Sequence, residues 1–299
     1  FDNTAELEWE KWIGKNDIFP IYKVSSKNSV LHSKSQCQAI VKKAIVTRLQ
    51  KKHNVVSLPE YGNEFPIRLQ INKNQVTLSI DTTGQSLSKR GYRAHMDIAP
   101  IRETLAAGLV YLSRWRAEED ELIDPMCGSG TILIEAAMIG KNIAPGLNRG
   151  FLSENWPMIP KKLWENTQED ALSKIKTDAD FKVYGSDTNH TALSVARKNA
   201  ELAGLDNIFF QNRDFKDVQS KRRRGKIITN PPYGLRLGEQ EDSQQLYKDF
   251  GNACQEHFPE WSSYIITPDK SFEMLYGKKA TKKRKLFNGP TECHFYQFY

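Results

Sequence analysis

The chain has 299 residues, 39% hydrophobic and 26% charged, with a net charge of +7. That suits a folded protein of roughly two domains and excludes a disordered chain. The polar, acidic start is unlike a signal peptide, and the best apolar run, 98–115, contains Arg102, Glu103 and Arg114 and so cannot be a membrane span. Cys37, Cys127, Cys254 and Cys293 lack CxxC spacing, which argues against a disulfide scaffold or a four-cysteine zinc site and for a reducing cytosol. The sequence starts at Phe1 and not at Met, so residues upstream are expected to be missing.

The cations cluster. Positions 221–226 hold five in six, positions 278–285 six in eight, and Lys89, Arg90 and Arg93 flank Tyr92. Such runs attract phosphate backbones through counterion release, or simply keep a face solvated. A net +7 is modest for this length and leaves the two readings balanced.

In chain order, 36–52 carries apolar residues at helical spacing. Phe65, Ile67, Leu69 and Ile71 alternate, as do Val76, Leu78 and Ile80, and Asn72, Lys73 and Asn74 between them predict a hairpin. The first hundred residues therefore form a small α+β unit. A helix is predicted over 98–115, with Pro100 in its first turn, where a missing N–H costs nothing. Strands at 121–124, 181–185, 208–211, 226–229 and 263–267 then alternate with helices at 131–139, 191–203 and 244–257, and 292–299 closes the chain as a strand. That alternation predicts an α/β domain with a mostly parallel, doubly wound sheet. Residues 141–180, with Pro145, Pro157, Pro160, Trp156 and Trp164, read as an insertion carrying a helix near 161–176.

Four motifs sit at the ends of those strands. Asp124-Pro125-Met126-Cys127-Gly128-Ser129-Gly130-Thr131 joins a strand to a helix through glycines that let the chain turn tightly and a ligand approach the backbone. It lacks the lysine of a P-loop and the third glycine of a dinucleotide fingerprint, so a purely structural turn stays open. Asp187, after the next strand, can accept from both hydroxyls of a ribose while also capping a helix. Asp214 and Phe215 are placed to meet an adenine amine and ring, though alone Asp214 reads as a surface acid. Asn230-Pro231-Pro232-Tyr233-Gly234 combines a stiffened strand end, two carbonyl acceptors for one NH2 group and a ring that can stack on a base.

With the glycine loop after the first strand and Asn-Pro-Pro-Tyr after the fourth, the chain resembles the S-adenosylmethionine-dependent amino-methyltransferases. The stretches 142–151 and 230–238 look more narrowly like the THUMP-domain 23S rRNA guanine-N2 methyltransferases, and 81–93 looks like that family's junction between THUMP and catalytic domains. Relatives of that kind are often named adenine-N6 DNA methylases. The resemblance implies a Rossmann-like class I methyltransferase domain over 94–299, with the insertion a family feature, after an amino-terminally incomplete THUMP-like RNA-binding region over 1–93. It also implies S-adenosylmethionine as cofactor. Asp124, Cys127, Gly128, Ser129, Gly130 and Thr131 would hold its methionine part. Asp187 with Thr188 would hold the ribose and Asp214 with Phe215 the adenine, while Ile101 and Thr104 would line the other side. Asn230, Pro231 and Tyr233 would present the target amine, and Asn230 would also border the cofactor. The substrate implied is RNA, foremost guanine N2 of 23S rRNA, with no metal. Guanine in tRNA and adenine N6 in DNA share the chemistry. An RNA-binding module with a vestigial site, or a dehydrogenase, fits less well, because Asp187 and Asn230 are present and the third loop glycine is not. No cysteine lies near Asn230 in the sequence, which argues against attack on a pyrimidine carbon.

Overall fold

The computed structural model describes residues 1–93, 101–234 and 239–299. The chain divides into two compact units: Phe1–Ser86 with Gly150–Thr167, and Leu87–Arg149 with Gln168–Tyr299.

The first unit contains α1 (Asp2–Glu6), β1 (Ile21–Lys27), α2 (Lys34–His53), β2 (Ile67–Asn72) and β3 (Gln75–Ile80). Its sheet has the order β1-β2-β3, with β1 parallel and β3 antiparallel to β2. The predicted helix lies within α2, which buries Cys37, Val41, Ala44, Ile45 and Leu49 and stops where Asn54 turns left-handed. The predicted hairpin forms too. Lys73 and Asn74 both take positive φ, the geometry of a two-residue turn that matches strand twist. Strand β1 was not legible in the sequence. Only Ile21 on it is buried, and its pairing shifts register between Tyr22 and Ser25, so no alternation survives. The stretch read as an insertion is divided. Its middle part belongs to this unit, where Trp156 stacks on Phe65 at 4.5 Å and donates from Nε1 to the Glu64 carbonyl at 3.0 Å.

The second unit contains α3 (Glu103–Ser113), β4 (Glu121–Asp124), α4 (Thr131–Gly140), β5 (Val183–Asp187), α6 (His190–Leu202), β6 (Ile208–Asn212), β7 (Gly225–Thr229), α7 (Glu239–His257), β8 (Ser262–Thr267), α8 (Phe272–Tyr276), β9 (Lys282–Asn288) and β10 (Thr291–Phe298), while α5 (Lys161–Ser173) precedes β5. The sheet order is β6-β5-β4-β7-β8-β10-β9; the first five are parallel, and β10 runs antiparallel to both β8 and β9. Side chains of α3, α4 and α6 pack with Val183, Ile228 and Ile266 on one face, and those of α7 and α8 with Ile123, Ile227 and Ile265 on the other. Cover on both faces explains the near-continuous apolar runs in β7 and β8. From β4 the chain builds outward through β5 and β6 and then returns to β7 on the other side, which makes the carboxyl ends of β4 and β7 a topological switch point.

Two expectations are corrected. The helix before β4 starts at Glu103, and Ile98 and Pro100 fall outside the described residues, as do residues 235–238 of the Asn-Pro-Pro-Tyr stretch. The cap of α6 is Asn189, whose side chain accepts from the N–H groups of Thr191 and Ala192, and not Asp187. The second half of the basic run 278–285 is β9, an edge strand whose lysines are exposed and discourage further pairing.

Candidate functional site

The switch point opens into a cavity of about 540 Å³. At its floor Asp124 ends β4, 1% exposed, accepting from Thr229 Oγ at 2.7 Å and from the Met126 N–H at 3.3 Å. Burial pushes its pKa up to about 7. The loop that follows turns on Gly128 and Gly130, both at positive φ. A Cβ at Gly128 would meet nothing within 4 Å, whereas one at Gly130 would press on Phe210 and Ala196. The first glycine thus serves the cavity and the second the packing of α4.

Asp187 ties that loop down: one carboxylate oxygen accepts from the Gly128 N–H and the other from the Asn189 N–H, both at 2.9 Å. Asp214 accepts from the Lys216 N–H at 2.9 Å, and Phe215 meets Phe250 edge-on at 5.6 Å, so it serves both core and cavity. After β7, Asn230 Oδ1 accepts from the Tyr233 hydroxyl at 2.5 Å. The fully buried Tyr247 of α7 donates to the Pro232 carbonyl at 2.9 Å and holds this loop from behind. Burial raises the Tyr233 phenol above its usual range, so it stays protonated and donates.

Of the fifteen residues named from the sequence, the cavity is lined by Ile101, Asp124, Cys127, Gly128, Ser129, Thr131, Asp187, Thr188, Asp214, Phe215, Asn230, Pro231 and Tyr233. Thr104 is not among them, because on α3 it points to solvent; Gly130 is not, because it faces the packing side of its loop. Sequence reasoning missed Leu246 and Asn288, which reach the cavity from α7 and the end of β9. Asn288 donates weakly to the Tyr233 hydroxyl, at 3.4 Å. No sequence signal marks it, since its hairpin lies 55 residues beyond Tyr233. The expectation that no cysteine lies near Asn230 holds only along the chain. In space Cys293 Sγ is 3.8 Å from the Tyr233 hydroxyl, though fully buried and not a lining residue. Burial raises the Cys127 thiol far above its usual range, which removes it as a nucleophile. Among the described residues no group of three metal-ligating side chains occurs, and no helix is long and apolar enough to cross a membrane.

Of the cations at 89–93, Lys89 is exposed, whereas the two arginines are engaged within the protein. Arg90 pairs with buried Glu135 at 3.3 Å, Arg93 with Glu103 at 2.8 Å, and Tyr92, 1% exposed, donates to Glu135. Lys226 donates to the carbonyls of Ser113 and Arg114. Lys221, Arg222 and Arg224 are exposed, and no ion pair occurs for them among the described residues.

Residues 90–297 match the family described as RMKL-like, methyltransferase domain, and residues 1–81 match the THUMP domain. The Bacillus subtilis (strain 168) protein named "Putative RNA methyltransferase YpsC" is 43% identical over 302 residues, covering 100% of this chain and 78% of its own length. A "Ribosomal RNA large subunit methyltransferase K/L" from Syntrophotalea carbinolica is 33% identical over 309 residues, covering 99% of this chain. This chain spans 43% of that longer relative. The solved structure titled "SMU.472, a putative methyltransferase complexed with SAH" is 40% identical with a TM-score of 0.92, covering 100% of this chain and 79% of that one.

Proposed function

The chain belongs to the RMKL-like methyltransferase domain family and carries a THUMP domain, and on that premise we propose that it is an S-adenosylmethionine-dependent RNA methyltransferase acting on guanine N2 in 23S rRNA. One observation carries the chemistry: a single cavity at the switch point is lined by the glycine loop, three carboxylates, Asn230 and Tyr233. The cavity suits the cofactor. Asp124, Asp187 and Asp214 offer acceptors for an ammonium group, ribose hydroxyls and an adenine amine, and Gly128 leaves its side open. The bound cofactor supplies a methyl group on a sulfonium.

The protein's own part is positioning. Asp187 fixes the loop and keeps lone pairs for the ribose. Asn230 Oδ1 spends one lone pair on Tyr233 and has a second for the target amine. That acceptor and the Pro231 carbonyl draw the amine's protons aside, so its lone pair localises toward the methyl group. The Tyr233 ring orients the base, which must leave its stack to enter. The ribosomal substrate is supported by the name of the Syntrophotalea carbinolica relative and by the THUMP domain, and guanine N2 by the resemblance over 142–151 and 230–238. A cytoplasmic location suits four free, buried cysteines. The deciding experiment incubates the protein with radiolabelled S-adenosylmethionine and unmodified 23S rRNA, tRNA or DNA and maps the labelled base. Label on adenine N6, or on tRNA alone, overturns the substrate while leaving the chemistry.

A further inference from the structure

A second cavity, about 520 Å³, lies on the sheet face shared with α7 and shares no lining residue with the first. It exists because the connection from β6 to β7 holds only a three-residue 3-10 turn, Phe215–Asp217, where a doubly wound sheet ordinarily places a helix. The face of β4, β5 and β6 is left to a loop. That loop is built and not loose: Trp261 Nε1 donates to the Arg222 carbonyl at 3.0 Å, and the Arg222 N–H donates to Ser220 Oγ at 3.0 Å. Tyr184 lines the cavity and stacks at 5.5 Å and 28° on Phe209, which lies outside the lining and is 42% exposed. Arg213, Lys221 and Arg222 line the cavity with no ion-pair partner among the described residues. Its one lining carboxylate, Glu121, accepts from Ser220.

We propose that this cavity is a second RNA site: it takes a nucleotide of the strand beyond the target, with a base against the Tyr184 ring, which Phe209 backs from outside the lining, and phosphates on Arg213, Lys221 and Arg222. An aromatic platform beside unpaired cations matches the chemistry of a base and its phosphates. A strand fits better than a free nucleotide because the exposed cations continue past the cavity to Arg224. The site rests on the reading of the chain as an RNA methyltransferase.

The test uses the full chain and a fluorescein-labelled oligouridylate containing 4-thiouridine. Lys221→Ala with Arg222→Ala should flatten the slope of log affinity against log salt by about 1.4, two single-strand phosphate contacts. Tyr184→Leu should weaken binding ~5-fold or more through lost stacking. Affinity for S-adenosylhomocysteine should stay unchanged in both, and irradiation should cross-link the oligomer to the peptide holding Tyr184. Should Tyr184→Leu fail to fold, the charge pair and the cross-link decide. Unchanged affinity and slope with cross-links only elsewhere overturn the site, as does uridine monophosphate binding there as tightly as the oligomer. A parent protein that binds S-adenosylhomocysteine but no RNA of any kind instead overturns the RNA reading beneath it.

Discussion

Asp124 carries its proton through the acidic range because burial holds its pKa near 7, against 3.8 for a free side chain. A carboxyl raised in the folded state favours the unliganded fold fully below pH ~4, and that contribution is lost as pH rises through about 7. A cationic cofactor favours the ionised form, so binding should release a proton. Affinity for S-adenosylmethionine should therefore rise roughly 10-fold from pH 6 to pH 8. Calorimetry in buffers of different ionisation enthalpy checks this, and a flat profile with no proton release removes Asp124 from the cation's surroundings. Asp187 joins ligand and loop. Asp187→Ala should cost on the order of 2–4 kcal/mol of S-adenosylhomocysteine binding. It should also lower the melting temperature, because the N–H groups of Gly128 and Asn189 lose their acceptor. Asn230→Ala should slow methyl transfer by roughly two to three powers of ten with cofactor affinity retained. Tyr233→Phe should slow it much less, since the ring remains. Single-turnover rates beside cofactor titrations separate these outcomes, and an Asn230→Ala variant as fast as the parent ends the proposed mechanism.

At the scale of elements, local pattern was a good guide wherever a segment makes its own structure. The hairpin of β2 and β3 was legible because apolar alternation and a two-residue turn agree. The strand ends carrying Asp124, Asp187 and Asn230 were legible because each apolar run stops at a polar, glycine or proline signal. Strands β1 and β9 were not: one is bulged and mostly uncovered, and the other is so rich in lysine that charge hides its period. Trp156 shows a third kind of failure. Nothing in 150–167 says which core it fills, yet it is 2% exposed against Phe65. Trp156→Ala should destabilise the first unit by ~3–5 kcal/mol through lost burial and a residual cavity. Hydrogen exchange should quicken in β2 and leave β4 and β7 unaffected.

For the whole molecule, charge has to be divided between architecture and binding. Arg90 and Glu135 are both nearly buried, so Arg90→Ala strands a carboxylate in the interior and should cost ~3–5 kcal/mol of stability. Denaturant unfolding measures that loss. The salt dependence of RNA binding should be unchanged in the same variant, whereas a shallower slope would return Arg90 to the RNA surface.

The sequence by itself determined the chemistry: the doubly wound order of elements and the placing of Asp124, Asp187, Asp214 and Asn230 at strand ends, because these depend on local period and on residue types with few structural uses. Tertiary structure alone decided which cations are spoken for, that Asn288, Leu246 and Tyr247 complete the site, that Thr104 does not, and that Cys293 lies beside Tyr233. Those facts depend on contacts between residues far apart in the chain, and neither spacing nor composition carries them.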